Sequence, residues 1–202
     1  RTGHRQEYNV SFNTKTDKSD TYASIGYLND KGYMIKTDFE RYSGRLNYNI
    51  YPVKWFKSGL NLGLSRTNSN YSTSTESSSS SYSNLARFIR TMAPIYPVHR
   101  HDIETGEYLD ANGDPTTDPS QYTYDYDGAR ISNNGRDGIA ETLWNDRKME
   151  STVTNARTYV TITPMEGLSA TVNYALDNTD QHRKVYENPL VGDGTAGPGR
   201  MN

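Results

Sequence analysis

Residues 37–68 read TDFERYSGRLNYNIYPVKWFKSGLNLGLSRTN, and apolar and polar positions alternate through two runs. In the first run Tyr42, Leu46, Tyr48 and Ile50 fall on one face, reading through Gly44, and Arg41, Ser43, Arg45, Asn47 and Asn49 fall on the other. In the second, Leu60, Leu62 and Leu64 alternate with Gly59, Asn61, Gly63 and Ser65. Successive side chains of a strand point to opposite faces, so each run has one apolar and one polar face. A short turn bearing Trp55 and Phe56 joins them, which predicts an antiparallel hairpin.

The same period predicts six strands, at about 7–14, 20–29, 37–51, 57–68, 151–163 and 168–178. Tyr8, Val10 and Phe12 mark the apolar face of the first, and Ala23, Ile25 and Tyr27 that of the second. In the fifth, Thr158, Val160 and Ile162 alternate with Arg157, Tyr159 and Thr161. In the sixth, Leu168, Ala170, Val172, Tyr174 and Leu176 alternate with Ser169, Thr171, Asn173, Ala175 and Asp177. The fold class expected is all-β: six antiparallel up-and-down strands, part of a large transmembrane β-barrel, with a long extracellular loop carrying one short helix.

Connection lengths and aromatic placement favour lipid over a protein core as the cover of the apolar face. Short connections at 15–19, 52–56 and 164–167 alternate with long ones at 29–36, 69–149 and from 179 onward. Outer-membrane barrels sort their loops in this way, short at the periplasmic end and long outside. Tyr51, Trp55 and Phe56 fall near the short turns, and Tyr8, Tyr27, Phe39 and Tyr174 are expected near the long loops, as two aromatic belts. An Arg or Lys on the lipid face near the midplane costs about 2–4 kcal/mol. The predicted register turns Arg41 and Arg45 away from that face and avoids the cost in all six strands; a slip of one residue would incur it.

The segment 69–149 has few strand signals. A serine run at 77–81 precedes a predicted helix at about 84–92, where Leu85, Phe88, Ile89 and Met92 recur at helical spacing, Ser83 caps the start and Pro94 ends it. Residues 179–202 contain many Gly and Pro and read as the start of a further extracellular loop.

Composition narrows the chemistry. The chain has 202 residues, 33% hydrophobic, with 17 Tyr against 4 Phe, too little Leu and Ile for a large self-contained core. The net charge of −2 and the lack of a basic stripe give no sign of nucleic acid. Cysteine is absent, which excludes disulfides, thiolate metal sites and a Cys nucleophile. No run reaches the ~18–20 apolar residues of a spanning helix, which a barrel does not need. The chain starts Arg1-Thr2-Gly3-His4, with neither an initiator Met nor a signal peptide, so the expectation is either that a targeting segment was removed or that the numbered chain starts mid-protein.

Candidate sites are few. Asp110, Asn112 and Asp114 place oxygens at the first positions of a calcium loop, but Pro115 and Gln121 stand where an EF-hand needs Gly and Glu, so a plain turn is favoured. His99-Arg100-His101-Asp102 offers two imidazoles without a third ligand at usable spacing. In 122–127, Tyr122, Tyr124 and Tyr126 alternate with Thr123, Asp125 and Asp127; with Trp144 these rings are the candidates for contact with substrate or a lid protein, against the reading of an ordinary two-stranded excursion. Neither a nucleophile elbow nor a phosphate-binding loop appears, so no enzymatic activity, catalytic residue, metal or cofactor is expected.

The stretches Tyr22-Ala23-Ser24-Ile25-Gly26-Tyr27-Leu28-Asn29, Gly32-Tyr33-Met34-Ile35, Phe39-Glu40-Arg41-Tyr42 with Arg45-Leu46-Asn47, and Lys54-Trp55-Phe56-Lys57-Ser58-Gly59-Leu60-Asn61-Leu62 stand in this order along the chain. They resemble the early barrel strands of SusC/RagA-type transporters, the TonB-dependent outer-membrane proteins of Bacteroidetes, of which these residues would be an internal piece. Met92-Ala93-Pro94-Ile95-Tyr96-Pro97-Val98 resembles the first long extracellular loop, and Asn188-Pro189-Leu190 the start of another. The resemblance implies a plugged barrel of about 22 strands and energised import of glycans or oligopeptides, a nutrient-uptake role. It also implies a SusD-like surface lipoprotein as lid, and TonB engaged through a segment not found in these residues. Arg41, Arg45, Asn47, Asn61, Arg157, Asn173 and Asp177 are then expected to face the lumen. The rival readings are a passive porin or adhesin barrel and a soluble β-sandwich that binds carbohydrate.

Overall fold

The computed structural model describes residues 2–70, 88, 90–126, 135–192, 195 and 200–201. Six long antiparallel strands follow in chain order: β1 (His4–Lys15), β2 (Ser19–Lys31), β3 (Asp38–Val53), β4 (Phe56–Asn70), β5 (Asp146–Met165) and β6 (Leu168–Glu187). Each lies beside the next, and a two-residue strand, β7 (Arg200–Met201), adds to β6. The sheet is an unclosed up-and-down meander.

Local chemistry sets the tight turns. Between β1 and β2, Thr16 Oγ1 accepts from the Ser19 and Lys18 amides at 3.0 and 3.3 Å. Between β5 and β6, Gly167 takes φ 85°, a conformation a side chain disfavours. The β3–β4 turn at 54–55 lies at the same end, and the connections 32–37 and 71–145 leave from the opposite end of the sheet.

The chain divides into two compact units, Arg1–Asn70 with Lys148–Arg183, and Tyr71–Arg147 with Lys184–Asn202. The first is the sheet. It has almost no interior: among its described residues only Leu28 is a buried hydrophobic.

The register assigns its two faces, because directly paired residues share a face. One face carries the rows Val10–Ile25–Gly44–Leu64 and Phe12–Ala23–Leu46–Leu62, followed by Thr14–Thr21–Tyr48–Leu60. Its residues stand in the open, Val10 at 74%, Ile25 at 75% and Val172 at 72% exposure. The other face carries Asn13–Tyr22–Asn47–Asn61–Arg157 and Ser11–Ser24–Arg45–Gly63–Asn155.

Away from the short turns the apolar band ends in a row of rings. Tyr8 stacks on Tyr27 at 6.5 Å, and Tyr27 meets Tyr42 at 5.0 Å. The Tyr27 and Tyr42 hydroxyls donate to Glu40 Oε1 at 2.8 and 2.9 Å. Glu40 belongs to the next row, Gln6–Asn29–Glu40–Asn68–Glu150, which is wholly polar.

Four expectations change. Phe39 pairs with Asp30 and Ser69 on the polar face, and Tyr42 takes its place in the ring row. Tyr51 also lies on the polar face, its hydroxyl donating to Asp20 Oδ2 at 3.0 Å. Tyr174, only six residues into β6, sits near the short turn rather than the long loops. Arg66 does stand on the apolar face, level with the Tyr row, where Glu150 pairs with it at 3.4 Å. At the interface level of a membrane barrel a charge costs only about 0–1 kcal/mol.

Boundaries shift as well. Residues 179–187, expected as loop, continue β6, and β5 begins at Asp146 rather than 151. The segment Asp180–Lys184 is polar throughout, so alternation gives no signal there. In the second unit the buried Arg147 pairs with the half-buried Glu187 at 3.1 Å, and Asn145 Oδ1 accepts from the Asn188 amide at 2.7 Å.

Most of the expected helix 84–92, the serine run at 77–81 and Asp127 lie outside the described residues. Phe88, Arg90 and Thr91 are helical, with the Met92 amide on Phe88 O at 2.9 Å. A further helix, Gly138–Trp144, was not expected; Asp137 caps it, accepting from the Ile139 and Ala140 amides.

Candidate functional site

Two groups of side chains are candidates, one in each unit. The first lies on the polar face of the sheet. Arg41, Arg45, Asn47, Asn61 and Arg157 share that face through the pairing of β3, β4 and β5. A depression of about 360 Å³ brings Asn47, Asn61, Arg157 and Asn173 together with Asn49 and Tyr159. Asp177 completes the group, 3.9 Å from Arg157.

Tyr159 and Asn49 line the same depression; alternation could place them on this face but not connect them. The Tyr159 hydroxyl donates to Asn49 Oδ1 at 3.1 Å, and Asn49 Nδ2 donates to Asp20 Oδ1 at 2.7 Å. Gly59 makes this possible, since a Cβ there would overlap both the Tyr159 ring and Asn49 Oδ1. The result is a wall of amides and hydroxyls that both donate and accept, with Arg157 balanced by Asp177.

The second group lies in the connection between β4 and β5. Tyr122, Tyr124, Tyr126 and Trp144 come together, joined by His99 and Tyr108. Tyr124 and Tyr126 meet Trp144 edge-on at 5.5 and 5.9 Å, and Tyr108 stacks on Tyr122 at 4.3 Å. His99 links them, 4.9 Å from Tyr124 and 5.7 Å from Tyr122. Backbone bonds from Arg100 to Thr123 and from Asp125 to Val98 hold the two segments antiparallel, at 2.8 and 3.0 Å. This is the two-stranded excursion, and the rings are its packing. Burial, with the charge of Asp137 adding to it, pushes the Tyr124 hydroxyl above its ordinary pKa.

The acidic motifs resolve as turns. Asp110 Oδ1 accepts from the Asp114 and Asn112 amides at 2.9 and 2.8 Å. Asp102 Oδ1 accepts from Glu104 and Thr105, each at 2.8 Å, and Asp118 Oδ1 from Ser120 at 2.9 Å. These backbone N–H groups hold all three carboxyls below the usual range: Asp114's for Asp110, Thr105's for Asp102 and Ser120's for Asp118. The Asp110 oxygens are thus engaged within the turn itself. His99 is part of the ring cluster, and His101 bridges Tyr108.

An open meander with one apolar and one polar face fits a piece of barrel wall, and the solved structures contain a counterpart. The fold is similar to part of a peptide transporter. The match is to the structure of the RagAB peptide transporter, at TM-score 0.55 and 21% identity, over 92% of this chain and 19% of that one. The chain thus spans about a fifth of the length of the transporter chain it matches. A second match, to a pore-forming protein, has a TM-score of 0.20 with 9% identity, over 92% of this chain and 96% of that one, and carries no argument. No protein-family model and no curated protein matches the chain.

Proposed function

We propose that this chain is part of the wall of a SusC/RagA-like, TonB-dependent outer-membrane transporter. Its work is import of glycans or oligopeptides, and its role is transport rather than catalysis. The observation that carries the reading is the two-faced sheet: an uncovered apolar band that ends in a tyrosine row, backed by a polar face. Lipid covers such a band, and water or cargo meets the polar side. The likeness in fold to a peptide transporter supports transport. In this reading the long connection 71–145 faces the cell exterior. Its aromatic cluster and a SusD-like lipoprotein form the entrance, and TonB acts through another segment of the protein.

The test is uptake. Deleting the gene should abolish growth on one glycan or peptide mixture as sole carbon source, and the intact gene should restore it. Collapse of the proton gradient should stop uptake equally. Uptake that persists without the gradient would instead identify a passive porin.

A further inference from the structure

We propose that the polar face of the sheet holds a carboxylate-binding site centred on Arg45. The proposal rests on the transporter reading only in taking this face as the wall of an aqueous channel. Arg45 stands mid-strand in β3, directly between Ser24 of β2 and Gly63 of β4. It lines a depression of about 370 Å³ whose polar groups include Ser24, Ser43, Ser65, Asn9 and Asn155, with no acidic side chain among its lining residues. A Cβ at Gly63 would meet nothing closer than 3.9 Å, so the space beside Arg45 is open.

The acids nearby are engaged elsewhere. Glu7 lies 3.2 Å from Arg5 and 3.9 Å from Arg41. Asp177 lies 3.9 Å from Arg157, and Asp20 accepts from Asn49 and Tyr51. Among the described residues no ion pair is made to Arg45. Its guanidinium therefore offers a fork of N–H donors with hydroxyls and amides around it and no counter-charge. A carboxylate fits that fork with two parallel hydrogen bonds and cancels a single positive charge. A phosphate ester with nearly two charges would call for a second cation, and the depression supplies none.

The carboxylate has two possible sources, cargo or a segment of the same protein seated in the channel. The experiment uses the full-length protein in detergent, with barrel formation read from heat-modifiable migration in SDS gels. The cargo probe is an acetylated, amidated hexapeptide with one Glu, compared with its Gln counterpart. If cargo supplies the group, the Glu peptide binds about tenfold more tightly. Arg45→Gln and Gly63→Asp then remove the difference, while Gly63→Asn keeps it. If the protein supplies it, the two peptides bind equally. The melting temperature then falls from wild type to Arg45→Gln and further to Arg45→Glu, since reversed charge repels the resident carboxylate. A formed barrel with neither peptide discrimination nor that order of stabilities overturns this site alone. A wild-type protein that forms no barrel overturns the transporter reading with it.

Discussion

Single residues decide whether the polar wall is smooth. Gly59 is the clearest case, because the Tyr159 ring and Asn49 Oδ1 occupy the space its Cβ would take. Gly59→Val should destabilise the folded protein by about 1–3 kcal/mol through overpacking, read as a lowered urea midpoint. Gly44, with nothing within 4 Å of its would-be Cβ, is the control, and Gly44→Val should cost less. The loop carboxyls make a second residue-scale case. Asp102, Asp110 and Asp118 all have pKa values below the ordinary range because backbone amides bond their charged forms. A lowered folded pKa contributes stability above the unfolded value, about 3.9, and that stability is lost as pH falls through the folded value. Protection of the Asn112 and Asp114 amides from hydrogen exchange, corrected for intrinsic rates, should therefore hold at pH 7, begin to weaken only below about pH 4, and be lost as pH falls further through the lowered folded value. Asp110→Ala should remove it at every pH, and unchanged protection in that variant would refute the turn's dependence on the carboxylate.

At the scale of elements, adjacent residues of one strand should respond oppositely to the same change. Leu46 lies in the apolar row with Phe12, Ala23 and Leu62, and Asn47 in the polar row with Asn61 and Arg157. Leu46→Arg or Val172→Arg should prevent insertion at a cost of about 2–4 kcal/mol per charge at mid-depth, while Asn47→Arg should be tolerated. Equal loss of folded protein for both classes, read in the same gel-shift assay, would overturn the face assignment. This register was legible in the sequence because a period of two survives wherever one side is apolar. It fades where both sides are polar, which hid the end of β6 from 179 to Glu187 and the start of β5 at Asp146. The ring cluster was half legible: Tyr122, Tyr124, Tyr126 and Trp144 stood out by type. His99 joined them through the backbone pairing of 98–100 with 123–125, and Tyr108 through its bridge to His101 and the Leu109 bonds to Arg100 and Thr123, contacts no local pattern encodes. The Gly138–Trp144 helix did have a signal in its Asp137 cap, but its seven residues are too few for periodicity to show.

For the molecule as a whole the deciding quantity is height. From Tyr42 to Val53, β3 rises about 37 Å at about 3.4 Å per residue, or about 26 Å at the ~45° tilt of a membrane barrel, against about 25 Å for the apolar band of such barrels. The Tyr row bounds the band at one end, and Trp55 and Phe56, edge-on at 6.0 Å, stand at the other. On the proposed reading lipid covers this face, and water would be a poor substitute. Each fully covered Val or Ile contributes about 1.5–3 kcal/mol, and Val10, Ile25 and Val172 are only three of the apolar side chains left uncovered on this face. The sheet unit buries a single hydrophobic residue, Leu28, among those described, so it has no interior with which to offset chain entropy in solution. The full-length protein refolded into vesicles should therefore give its highest folded yield where the hydrocarbon layer is about 25 Å thick, because a mismatched bilayer must thin or thicken around the fixed band. Yield should fall in thicker bilayers, and refolding without amphiphile should give no heat-modifiable species. Residues 1–202 expressed alone as a soluble monomer that melts cooperatively would contradict this, since such a protein would have to cover the band from its own chain.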